Sequence, residues 1–182
     1  MAEDVLRLRV LKALTTVLEG IDRRPFNIDF ATPVLDHDSV PVGDDNFFKG
    51  RVKRGRIIFG EGDPLPMLSI LEVPIPLDQE VPGKDSPYSK GTWELLIQGF
   101  ATDDFDNPTD PAHILMAAAK KELGLARRAN RDYKLLDLGD HVTDMKIGAG
   151  VVRPPDDISS KAYFWLNLSL DLVEDLSNPF ED

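Results

Sequence analysis

Hydrophobic and polar residues alternate strictly near the end of the chain. Phe164, Leu166, Leu168, Leu170 and Leu172 take one face, and Tyr163, Trp165, Asn167, Ser169 and Asp171 take the other. Period two over this length predicts a strand with one buried face and one that is polar or partly covered. A second run, Thr92 to Ala101, behaves similarly. Trp93, Leu95, Ile97 and Ala101 share a face, while Glu94 and Gln98 lie opposite with Leu96 and Phe100. Shorter strands are predicted at Phe26–Phe30, at Met67–Val73 and through Val142–Val152. In the last of these, Met145, Ile147, Ala149 and Val151 alternate against Asp144 and Lys146.

Two segments instead carry the helical period. From Asp4 to Glu19 the apolar positions are Leu6, Val10, Leu14, Val17 and Leu18, continued by Ile21, and Gly20 closes the segment. From Pro111 to Leu123 the stripe is Ile114, Leu115, Ala118 and Leu123. Asp110 is placed to cap this helix, Pro111 to start it and Gly124 to stop it. The order is helix, irregular strands, strand, strand, helix, strand, strand. It predicts one α+β domain over residues 1–182, a mostly antiparallel sheet with two main helices packed on one face. Long loops or arms are expected at 31–56 and 74–90, and an acidic, frayed end at 174–182.

Composition narrows the function. The chain has 182 residues and a formal net charge of −11, which argues against a primary role in gripping nucleic acid, because phosphate binding needs a positive surface. With no cysteine, thiol catalysis, disulfides and zinc–thiolate sites are excluded. No run approaches the length of a membrane span, and Met1–Asp4 lacks the basic, apolar start of a leader. Folding in the cytoplasm is therefore expected.

Candidate chemistry is sparse. Asp103, Asp104, Asp106 and Asp110 form an acidic turn, but counting from Asp104 puts Thr109 where a calcium loop needs glycine and Leu115 where it needs glutamate. His37 lies between Asp36 and Asp38, on an extended stretch whose neighbours point apart. Gly60-Glu61-Gly62 precedes a strand, whereas a phosphate loop opens a helix. Lys49, Arg51, Lys53, Arg54 and Arg56 are dense but split between the two faces of a strand leading into Ile57-Ile58-Phe59. Arg127, Arg128, Arg131 and Lys134 cluster after the second helix. No nucleophile motif is present. No catalytic, cofactor or metal residue is assigned. A small metal-dependent hydrolase would need two or more of Asp103, Asp104, Asp106, His113 and His141 in one pocket.

The chain resembles the tail terminator (tail completion) proteins of long-tailed bacteriophages. The resemblance lies in four pieces in order: the opening helix, Pro64-Leu65-Pro66-Met67-Leu68-Ser69-Ile70, Gly91-Thr92-Trp93-Glu94-Leu95-Leu96-Ile97 and the closing strand Phe164 to Leu172. The helix from Pro111 to Leu123 sits between the last two. It implies a structural virion protein without chemistry, a homohexameric ring that caps the head-proximal end of the tail tube, ends tube growth and joins tail to neck. Partners would be further copies of itself, the tail tube protein, the sheath if the tail contracts, and a neck or connector protein, with genomic DNA only passing through. An acidic ring suits that passage, since like charges repel phosphates. The long segments at 31–50 and 74–90 depart from the pattern and leave a neck or head–tail connector protein as the alternative.

Overall fold

The computed structural model describes residues 4–22, 34–35, 41–42, 47–60, 62–73, 84–129, 135–157 and 159–180. The predicted strand at 26–30, His37 with its aspartates, most of the 74–90 arm, Arg131 and Lys134 lie outside the described residues.

The fold is α+β. Helix α1 spans Leu6–Glu19 and α2 spans Asp110–Ala129. A short pair, β1 (Val34–Leu35) and β2 (Pro41–Val42), stands apart from the main sheet. That sheet contains β3 (Val52–Arg54), β4 (Met67–Glu72), β5 (Tyr88–Phe100), β6 (Val142–Ile147), β7 (Val151–Arg153) and β8 (Tyr163–Asp175), in the order β3-β4-β5-β8-β6, with β7 also on β8. Only β3 and β4 run parallel; the other described pairings in this sheet are antiparallel. The centre is the long β5–β8 ladder, from Tyr88 opposite Asp175 to Phe100 opposite Tyr163.

One face of this sheet forms the core. Leu68, Ile70, Trp93, Leu95, Ile97, Met145 and the even-numbered residues Phe164 to Leu172 pack under Leu6, Val10, Leu14 and Leu18 of α1 and Leu115, Ala119 and Leu123 of α2. Removing these side chains from water is the main drive for the layered arrangement. On α1 the four- and three-residue spacing holds as expected, and the Gly20 N–H bonds back to the Val17 carbonyl.

The second helix departs from its predicted stripe. Ala112 and Ala119 are buried beside Leu115 and Leu123, while Ile114 is exposed. Small residues at these positions let the helix approach the sheet closely. Gly124 does not stop α2, which continues to Ala129 with Ala126 packed on the core. A mid-helix glycine costs about 1 kcal/mol, less than that packing and the further turn return. Asp110 lies in the first turn rather than ahead of it. The Thr109 carbonyl takes the N–H groups of Ala112 and His113, and the Asp110 charge suits the positive helix end.

Three strands also differ from expectation. The basic strand ends at Arg54, because Gly55 at φ 69° turns the chain, so Ile57 and Ile58 are not strand residues. The strand expected across Val142–Val152 is two strands. The break falls at Gly148 and Gly150, the latter at φ 75°. The closing strand runs on past Leu172, and Glu174 and Asp175, expected in the frayed end, pair with Ser89 and Tyr88. Of the segments expected as arms, Tyr88–Lys90 belongs to β5, Val52–Arg54 is β3, and Phe47 and Phe48 are core residues.

Candidate functional site

Among the described residues, the register leaves the other face of the sheet without a helix layer. It carries Met67 and Ser69 of β4, Thr92, Glu94, Leu96, Gln98 and Phe100 of β5, and Tyr163, Trp165, Asn167, Ser169 and Asp171 of β8. This is the face that the sequence predicts to be half-covered.

One end is covered by the connection between β3 and β4. Phe59 packs on Phe100 with ring centroids 5.2 Å apart, Phe100 on Tyr163 at 6.3 Å and Tyr163 on Trp165 at 5.4 Å. The connection holds its own shape. Arg56 pairs with Asp63 at 2.7 Å, and the same carboxylate accepts the Gly60 N–H. It is also tied to the sheet. The Ser69 hydroxyl accepts the Arg56 N–H at 3.1 Å. With its amide oriented to satisfy both neighbours, the Gln98 side chain, 2% exposed, donates to the Ile57 carbonyl at 3.0 Å and accepts the Trp165 indole N–H at 3.2 Å. Arg51 is buried at the base of the connection, 4.3 Å over the Phe47 ring, and donates to the Leu65 carbonyl at 2.9 Å. Burial pushes its guanidinium down to about 10. Tyr163 donates to Asp156 at 2.9 Å, and burial together with that carboxylate raises its phenol.

The opposite end is polar. Thr92 donates to Asp171 at 2.8 Å, Lys146 reaches the second oxygen of Asp171 at 3.0 Å, and the Ser169 hydroxyl bonds Glu94. Burial raises the Asp171 carboxyl, but the bonds from Thr92 and Lys146 outweigh it and hold the group below its ordinary range. The Asp171 hydrogen bond and charge raise Lys146 in turn.

Between the two ends is an open groove of about 420 Å³. It is lined by Leu96, Gly148, Ala149, Gly150, Val151, Trp165 and Asn167. Its glycine wall follows from close approach. A β-carbon on Gly150 would lie 2.6 Å from the Met116 sulfur, and one on Gly148 would lie 3.0 Å from the Asn167 carbonyl. Lys120 of α2 donates to the Ala149 carbonyl and braces this wall. The groove offers apolar contact, one indole and one amide. It suits recognition by shape, since its lining contains no titratable or nucleophilic side chain.

No protein-family model matches the chain, and no curated protein matches it. The site rests on its geometry alone.

The polar residues singled out in the sequence are not brought together. Asp103 pairs with Lys161, and Asp104 caps the turn by accepting the N–H groups of Asp106 and Asn107. His113 is exposed on α2. His141 ends a short 3₁₀ turn, Gly139–His141, with Nδ1 3.2 Å from the Val173 carbonyl. Among the described residues, no three His, Asp or Glu side chains gather as a metal would need. The basic run is dispersed too: Arg51 is buried, Arg56 is paired and Lys53 and Arg54 remain on β3. Sequence reasoning missed the glycine wall and the exposure of Ile57 and Ile58. The available signals were Gly148-Ala149-Gly150 inside an alternating run and Gly55 before the two isoleucines.

Proposed function

We propose that this chain is a structural virion protein similar to the tail terminators of long-tailed bacteriophages. It forms a homohexameric ring on the head-proximal end of the tail tube, ends tube growth and presents a surface to the neck. The observation that carries this reading is the half-covered sheet. Two helices bury one face, while the other keeps an apolar groove and the exposed side chains of Ile57, Ile58 and Val151. Exposed apolar surface of this kind marks sites of association. The net charge of −11 supports the pore role, in which DNA crosses the ring without adhering. Partners are further copies of the chain, the tail tube protein, the sheath of a contractile tail, and a neck or connector protein.

The test pairs native mass with tube binding. Purified chain is sized by light scattering, then mixed with growing tail tubes and imaged. The expected result is six copies per ring, one ring per tube and arrested elongation. A chain that neither assembles nor stops tubes refutes the reading. Rings that bind connectors and ignore tubes reassign it to the neck.

A further inference from the structure

We infer that the connection between β3 and β4 is a strap that swings off the open sheet face as one preformed body and so lengthens the groove. The inference concerns the groove and does not depend on the ring proposed above.

Both ends of the strap are fixed to the sheet. At one end the Gly55 N–H donates to the Ile70 carbonyl at 2.9 Å, and a φ of 69° turns the chain out of β3. At the other, the Arg51 guanidinium holds the Leu65 and Pro66 carbonyls at 2.9 and 3.4 Å. The described residues between these points, 56–60 and 62–64, are pinned to one another by Asp63. Its two carboxylate oxygens meet the Arg56 guanidinium at 2.7 and 3.1 Å, and one of them also accepts the Gly60 N–H at 2.6 Å. The Asp63 N–H returns to the Gly60 carbonyl at 3.0 Å.

This body is held to the sheet more weakly than to itself. Among the described residues, its ties to the sheet are two neutral hydrogen bonds and one aromatic contact. The Arg56 N–H donates to the Ser69 hydroxyl, the Gln98 amide donates to the Ile57 carbonyl, and a half-buried Phe59 ring rests on Phe100. Ile57 and Ile58, 67% and 61% exposed, add little hold. A charged, two-pronged bond is roughly twice as strong as a neutral one, so the seam with the sheet gives way before the pin does. The cost of opening is local, because Leu65 at the hinge and Trp165 on the sheet still cover Met67 and Tyr163. What the opening bares is the Gln98 amide and one side of Phe100, next to the Trp165 wall of the groove. The groove gains a hydrogen-bond donor and an aromatic surface that the closed strap withholds.

Hydrogen exchange on the full chain, followed by NMR at urea concentrations below the unfolding transition, tests this. The Arg56 N–H and the Gln98 side-chain amide lie on the two sides of the seam. They are expected to exchange together, at least about tenfold faster than the β5 and β8 ladder amides, with little dependence on urea. The Gly60 and Asp63 N–H groups, kept by the pin, should exchange more slowly than Arg56. Phe59→Ala should speed Arg56 and Gln98 by roughly a further tenfold and leave β8 unchanged. If Arg56 and Gln98 exchange only with the β5 and β8 ladder, there is no separate opening and the inference is overturned. It is overturned as well if Gly60 and Asp63 exchange ahead of Arg56, since the connection then frays instead of swinging, or if Phe59→Ala leaves the seam as slow as before.

Discussion

A β-carbon on Gly99 would lie 2.1 Å from Cε1 of Phe164, its partner across the β5–β8 ladder. The glycine therefore makes room for a ring at the centre of the core. Gly99→Ala forces that ring from its place, and we expect a loss of about 1–3 kcal/mol, the usual cost of overpacking. Urea unfolding checks it. Gly99→Ala combined with Phe164→Leu should recover part of the loss, because the two positions share one space.

Gln98, itself 2% exposed, joins the Ile57 carbonyl to the Trp165 indole. Gln98→Leu leaves the Ile57 carbonyl and the Trp165 indole without their partner, at an expected cost of about 1–3 kcal/mol. The effect should be local as well as global. Amide exchange in residues 55–60 is expected to quicken more than exchange in β8, and equal change in both would contradict the link.

Arg51 holds the Phe47–Phe48 turn against the return of the connection at Leu65. Arg51→Ala removes the stacking and the carbonyl bond together, for about 2 kcal/mol or more. Arg51→Met should cost less. It keeps the apolar length and avoids desolvating a charge whose pKa burial lowers to about 10. A thermal melt in which Met is the worse of the two would refute this account.

The Asp171 pair gives the acid dependence its sign. The carboxyl titrates below 3.8 in the folded chain, so its contribution is present above that value and is lost as pH falls through the folded pKa. Lys146 is raised above 10.5, so its share is present below that value and fades only in stronger alkali. Asp171→Asn should lower the urea midpoint modestly at neutral pH, as befits so accessible a pair, and the two proteins should converge as pH falls through the lowered carboxyl range. Curves that stay parallel throughout would assign the loss to something other than this charge.

The fold was legible wherever period alone decides structure. Phe164 to Leu172 announce both faces of β8, and Leu6 to Leu18 the buried side of α1. The errors fall where backbone geometry or packing overrides the local signal. Gly124 carries a stop signal, but Ala126 still has core to pack on. Met145 and Ile147 lie on the core side, but past the break at Gly148 and Gly150 Val151 pairs with Trp165 on the open face, a change of face that the spacing does not show. The site was legible in part. Trp165 and Leu96 fall on the half-open face by parity, but the groove needs β6 and β7 to flank β8, and pairing partners are not written in spacing.

Among the described residues, the two edge strands of the sheet are unequal and both are short. One is the three residues of β3; the other is interrupted between β6 and β7. Neither offers a foreign strand a long flat row of free amides, the template on which fibrils grow. A protein with apolar side chains on its surface can thus still avoid runaway polymerisation through its backbone.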